Sequence, residues 1–250
     1  MPRTERKRSS SGIYHIMLRG INRQQIFEDD EDNNKFLQII SDCKMLSGFH
    51  LYGYCLMGNH VHLLMKECEE SLDLVFKRIG ARYVYWYNRK YKRCGHLFQD
   101  RFKSEAVESD AYFSVVLRYI HQNPLKAGLC DNINKYRWSS YNDYIKKRGI
   151  TDYDFALEII GESNFKAFMN ENKDDKCLEY TVPKEQITDE DLIKMLEDTF
   201  NIKVIMIQSE PKEKRNSIID AALKINGISI RQLARVTGIS INLIWRLSNK

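Results

Sequence analysis

The sequence contains no run of 18 or more apolar residues, so no segment reads as a membrane span and no membrane partner is expected. Its first twelve residues carry Arg3, Arg6, Lys7 and Arg8 and then three serines. No apolar stretch follows these charges, so this start reads as a frayed basic tail and not as a secretory signal. Cys-x-x-Cys pairs are also missing. The six cysteines, at 43, 55, 68, 94, 130 and 177, are too scattered for a zinc knuckle and too few for a disulfide scaffold. Reduced thiols in the cytoplasm are expected. No internal repeat or low-complexity tract is visible, which excludes a solenoid or an array.

What is present suits a soluble globular chain: 250 residues, 43% of them apolar and 29% charged, enough for one catalytic domain and a smaller appendage. The net charge of +5 only weakly favours a polyanionic partner, and its distribution says more. From Phe76 to Lys103 there are nine lysines and arginines against a single acid, Asp100. From Lys146 to Pro211 acids outnumber bases.

Periodicity gives a coarse map. Ile13 to Gly20 reads as a buried strand, and Asp29 to Leu46 as a helix with an apolar stripe from Phe36 to Leu46 that stops at Gly48. Phe49–Met57 and His60–Lys66 read as strands joined by a turn at Gly58-Asn59, residue types that tolerate positive φ. Ser71 to Tyr91 is a helical pattern with basic residues interleaved, and Gly95 to Val107 a loop followed by a strand. Ser109 or Asp110 caps a helix expected to end at Asn123-Pro124, because proline pushes the preceding residue out of the α region. The segment 146–211 shows two short helical patterns and no motif. Helices are expected at Asn216–Asn226, Ser229–Val236 and Ser240–Ser248.

The first chemical signal is His60-Val61-His62. Residues i and i+2 of a strand share a face, so the two imidazoles project side by side and can share a metal. With six histidines in the chain, chance alone would place such a pair roughly 0.14 times, so the motif is suggestive without being decisive. Two ordinary edge histidines would leave the same pattern. The position directly after a Gly-Asn turn, where imidazoles can stay accessible, favours a ligand pair. Two nitrogen ligands leave a hard ion in need of oxygen, which points to Mg²⁺ or Mn²⁺ sharing a phosphate and water more than to closed structural zinc.

The surrounding block, Gly53-Tyr54-Cys55-Leu56-Met57-Gly58-Asn59-His60-Val61-His62-Leu63-Leu64, resembles the HUH-motif Y1 transposases, most closely their REP-associated tyrosine transposase group. Three further blocks agree in order: Tyr14 to Gly20, Gly95 to Ser104, and Arg118 to Leu129. The resemblance covers about residues 13 to 144 and departs at Gly58, where the family commonly has proline, a change in turn stiffness that leaves both ligands in place. It implies an α+β fold, an antiparallel β-sheet flanked by helices of the ferredoxin-like or RRM-like kind, with single-stranded or hairpin DNA as substrate. It also implies Tyr119 as the nucleophile, which forms a 5′-phosphotyrosine and releases a 3′-hydroxyl. One phosphodiester replaces another, so no nucleotide cofactor is needed. Composition could not have chosen Tyr119 among fourteen tyrosines, and an amphipathic tyrosine on a helix face would look the same. Asn123, one turn further on, is implied as a third metal ligand, although a helix-stop role is compatible. His121 points away from Tyr119 on a helix and reads as structural or solvent-facing.

Arg82, Arg89, Arg101 and Lys103 are, as a group, candidate phosphate contacts among aromatic residues that could stack bases, although charged runs are usually solvated faces and aromatic stripes usually core. At the C-terminal end, Ser229 to Ser248 resembles a helix-turn-helix, with Arg231, Arg235, Asn242 and Arg246 as DNA contacts; a plain three-helix packing module would show the same apolar pattern. The expected organisation is a basic tail (1–12), a catalytic domain (13–145), an acidic linker or accessory segment (146–211) and a DNA-binding module (212–250). The tyrosine acts either within its own chain or across a homodimer. The function expected is metal-dependent cleavage and strand transfer on single-stranded DNA. The alternatives are a non-cleaving transcriptional regulator derived from a transposase and a metal hydrolase that uses water.

Overall fold

The computed structural model describes residues 8–179, 188–225 and 228–248, which leaves the expected helix end at Asn226, and Arg3, Arg6 and Lys7 of the basic tail, outside the described residues. The chain folds as two compact units, 1–179 and 180–250. The boundary falls inside the segment 146–211 that reads as a linker.

The first unit opens with β1 (Ile13–Arg19), α1 (Asp30–Ser47), β2 (His50–Met57), β3 (His60–Lys66), α2 (Leu72–Lys90) and β4 (Lys103–Ala106). The strands form one antiparallel sheet in the order β2-β3-β1-β4, the ferredoxin-like arrangement, with the histidine-bearing β3 in its interior. Local chemistry sets the helix ends. Asp29 caps α1 through a reciprocal box with Asp32, and Gly48 ends it at φ 64°, a conformation that costs glycine little.

Alternation along the strands assigns each face of the sheet to a different layer. Ile16, Leu18, Val61, Leu63 and Met65 pack with Phe36, Ile40, Val75, Ile79 and Tyr83 of α1 and α2. Ile13, Cys55, Met57 and Leu64 pack on the opposite face with Phe113, Val116, Leu117 and Ile120 of α3 (Asp110–Lys126). Gly53 lets α3 close on β2: a Cβ there would stand 2.7 Å from Leu117 Cδ1. His15, His60 and His62 belong to this second face.

Two local expectations are corrected. The helix expected to stop at Asn123-Pro124 runs on to Lys126 with Pro124 inside it, and the Ala127 amide still bonds Asn123 O at 3.0 Å. The bond lost at Pro124 falls in the last turn, where the helix tolerates it, and Asn123 keeps helical geometry one turn past Tyr119. The Gly58-Asn59 turn places neither residue at positive φ. It is instead held by the Ile26 and Phe27 amides, which both bond Gly58 O, at 2.8 and 3.1 Å.

After α3 come α4 (Tyr141–Lys146), α5 (Asp154–Ile160) and α6 (Glu162–Met169), whose Phe165 and Met169 extend the α3 core. The second unit contains α7 (Asp189–Phe200), a 3-10 turn (Val204–Ser209), α8 (Lys212–Leu223, starting earlier than expected), α9 (Ile230–Thr237) and α10 (Ile241–Ser248). Its own core is built from Leu192, Leu196, Ile207, Ile219, Leu233, Ile239 and Ile244. Gly238, at φ 71°, ends α9 and turns the chain toward α10. No helix among the described residues is long and apolar enough to cross a membrane.

Candidate metal and nucleophile site

β3 leaves its turn at His60 and delivers His60 and His62 to the face covered by α3, their ring centroids 5.0 Å apart. The Asn59 side chain fixes His60: its Oδ1 lies 2.7 Å from His60 Nδ1 and accepts that proton, leaving Nε2 with a lone pair. His62 is buried, with Asn123 Nδ2 3.4 Å from its Nε2. A half-turn of that amide presents Oδ1 to the same point. Tyr119, one turn earlier on α3, sets its ring edge-on to His62 at 5.6 Å between centroids. The structure thus brings together His60, His62, Tyr119 and Asn123.

Burial lowers the pKa of each imidazole. His15 falls to about 3, and His60 to about 4, where the Arg19 charge adds to burial. His62 lies well below the ordinary value through burial and its two histidine neighbours. All three are neutral at pH 7, the form that ligates metals. Among the described residues no three His, Cys, Asp or Glu side chains gather closely enough to hold a metal. The donor set here is two neutral imidazoles and an amide, which fits a divalent ion that takes its remaining ligands from phosphate and water.

These depressed values fix a pH dependence. Below pH 6.5 the unfolded chain takes up protons that His15, His60, His62 and the wholly buried His121, held down at about 3 by burial, refuse in the fold. Stability is therefore complete above pH 6.5 and declines as the pH falls, by up to about 1.4 kcal/mol per pH unit for each buried histidine. Denaturant midpoints at pH 7 and pH 5 test this, and equal midpoints would contradict it.

Four neighbours of this cluster escaped the sequence reading. His15 Nε2 lies 3.0 Å from His62 Nδ1. Arg19 stands in register with His60, and Lys126 Nζ sits over the Tyr119 ring at 5.4 Å from its centroid. The Tyr119 hydroxyl donates to Glu179 Oε1 at 2.6 Å. Strand alternation could have placed His15 and Arg19 on one face, and helical spacing of seven could have placed Lys126 near Tyr119. Nothing in the sequence pointed to Glu179.

Glu179 ends an acidic strap laid over α3. Arg118, only 2% exposed, donates from Nε and Nη2 to Asp175 at 2.7 and 2.9 Å and from Nη1 to Glu171 at 2.8 Å. Gln122 Nε2 donates to Met169 O and Glu171 O. Burial, then the hydrogen bond and charge of Glu179, push the Tyr119 hydroxyl far above the ordinary phenol value. A phosphate reaching that oxygen must displace a carboxylate. Glu179→Gln is therefore expected to bring the Tyr119 hydroxyl back toward the ordinary phenol value, because a neutral amide removes the charge that raises it, a change that ultraviolet difference titration of the phenolate measures. An unchanged titration would leave burial as the whole cause.

The other predicted residues are dispersed. Lys103 of β4 pairs with Met17 of β1 and so shares the histidine face, and exposed Arg101 precedes it. Arg82 and Arg89 are exposed on α2, in the layer on the opposite side of the sheet from His60 and His62. Arg231, Arg235, Asn242 and Arg246 are exposed on α9 and α10, but Arg235 is engaged by Asp189 through two bonds of 2.7 Å. His121 is structural and wholly buried rather than solvent-facing, its Nε2 2.8 Å from Ser140 Oγ.

Residues 8–123 match the family model described as transposase IS200-like. The match spans less than half of the chain, and over it the chain is similar to IS200-like transposases. Among solved structures the chain is similar to a REP-associated tyrosine transposase bound to a REP hairpin, at 15% identity and a TM-score of 0.51, covering 62% of this chain and 96% of that one. It is also similar to a candidate transposase from Deinococcus radiodurans, at 17% identity and a TM-score of 0.34, covering 50% of this chain and 96% of that one. No curated protein matches. The first likeness shows that the transposase fold is shared. The family match ends at Asn123, before the strap that holds Tyr119.

Proposed function

We propose that this chain is a metal-dependent single-stranded DNA endonuclease and strand transferase that works through a covalent 5′-phosphotyrosine on Tyr119. The observation that carries the reading is the placement of the Tyr119 ring edge-on to His62, with Asn123 bonded to the His62 nitrogen that faces it. A divalent ion held by His60, His62 and Asn123 would supply charge neutralisation and an in-line hold on the scissile phosphate. Tyr119 supplies the nucleophile: its oxygen bonds to phosphorus as the P–O3′ bond breaks, the phenol gives up its proton, and the departing 3′-oxygen ends as a hydroxyl. Phosphodiester energy is conserved in the adduct, so a second strand's 3′-hydroxyl can reverse the step.

Hairpin DNA is the substrate form proposed, because the similar REP-associated transposase is bound to a hairpin. Lys103, Arg101 and Arg19 border the histidine face and suit a phosphate backbone, while Arg82 and Arg89 suit a strand that wraps the sheet. Arg231, Asn242 and Arg246 are proposed as contacts of a helix-turn-helix module, with Arg235 contributing only if Asp189 releases it.

The test is incubation of end-labelled single-stranded hairpin DNA with the protein and Mn²⁺, followed by denaturing electrophoresis. The reading expects label that migrates with the protein and is lost with EDTA. Cleavage without attached label would identify a hydrolase, and binding without cleavage a regulator.

A further inference from the structure

We propose that His15, backed by Glu105, is a positioning residue that fixes the tautomer of His62; the inference rests on the metal site proposed above. His62 can ligate through Nε2 only if its proton sits on Nδ1. That Nδ1 faces His15 Nε2 at 3.0 Å, and one of the two nitrogens must donate while the other accepts. Both ends of the chain of contacts choose the same direction. At the far end, His15 Nδ1 is buried without a hydrogen-bond partner, and the Glu105 carboxylate oxygen Oε2 lies 3.9 Å from it. A carboxylate on that side favours the His15 proton on Nδ1, which leaves His15 Nε2 as an acceptor. At the near end, Asn123 Nδ2 approaches His62 Nε2 at 3.4 Å, which suits a lone pair there. The outcome is a relay from Glu105 through His15 to His62, with the His62 lone pair turned toward His60 and Asn123.

Sheet geometry supports this relay and also accounts for its position. β1 lies between β3 and β4, with His15 in register with Glu105 on one side and Met17 in register with His62 on the other. The three side chains therefore share the face under α3. Glu105 is held in turn by the Leu178 amide, 3.1 Å from Oε2, so the strap that reaches Tyr119 also touches the outer end of the relay. A wholly buried histidine with an unpartnered nitrogen is costly as a core residue. Outer-sphere partners of metal-bound histidines commonly take this form, and their loss weakens metal binding about ten- to a hundredfold.

Two readouts test the relay without activity. Long-range ¹H–¹⁵N correlation of the metal-free protein should show the His62 proton on Nδ1, and finding it on Nε2 would overturn the inference. Calorimetric Mn²⁺ titration should give a Kd raised ten- to a hundredfold in His15→Leu, whereas a merely structural histidine would lower Tm and leave Kd alone. His15→Gln, whose side-chain carbonyl can accept from His62, should restore Kd to within about threefold. A folded His15→Leu variant with unchanged Mn²⁺ affinity would overturn the relay alone. An unaltered protein that takes up no Mn²⁺ would overturn the metal reading and the relay with it. Should His15→Leu fail to fold, the tautomer measurement decides.

Discussion

Tyr119→Phe is expected to lower single-turnover cleavage of hairpin DNA by about 10⁴-fold or more while leaving hairpin Kd within about threefold. The substitution removes one oxygen and little else. The ring keeps its edge contacts with His15 and His62, and the Lys126 ammonium still has a ring to cover. The hydroxyl donates to Glu179, an exposed residue that water can satisfy. A stability change within about 1 kcal/mol is expected. Loss of cleavage without loss of binding or fold is the signature of a nucleophile. A variant that cleaves normally would move that role to another residue.

His62→Ala is expected to abolish both Mn²⁺ binding and cleavage, with an effect of at least about 10³-fold on the rate. It should also cost stability, which His60→Ala should not. His62 is buried and satisfies His15 Nε2, so its loss leaves a cavity and an unpaired nitrogen, worth about 1–3 kcal/mol. His60 is half-exposed beside the turn, and the Asn59 amide it releases can turn to water. Equal loss of cleavage with unequal loss of Tm is therefore expected for the pair, measured by thermal unfolding in EDTA beside kinetics in Mn²⁺. Retained Mn²⁺ affinity in both variants would remove the histidines from the metal site.

The strands, α1, α2 and the face shared by His60 and His62 were legible because they depend on periodicity and alternation, which are local. The four ordered blocks also made legible the similarity to IS200-like transposases over residues 8–123. Gly58-Asn59 misled about φ because contacts with Ile26 and Phe27, distant in sequence, hold that turn. Pro124 misled because its ring falls in a last turn, where helices tolerate it. The acidic segment carried no motif since its meaning lies in pairing: Asp175 and Glu171 are acidic to meet a buried Arg118, and Glu179 to meet a hydroxyl. His15 stood inside a recognised block without a role, because only the pairing of β1 with β3 places it behind His62. The basic run of α2 was visible as charge, but the sheet that separates it from the histidines was not.

The central claim is a covalent bond between Tyr119 and DNA. It is tested most directly by trapping the protein on single-stranded hairpin DNA with Mn²⁺, digesting both polymers and sequencing the modified peptide by tandem mass spectrometry. The account predicts a nucleotide 5′-phosphate on Tyr119 and none in EDTA. Modification of a different residue, or strand cleavage with no modified peptide, would contradict it.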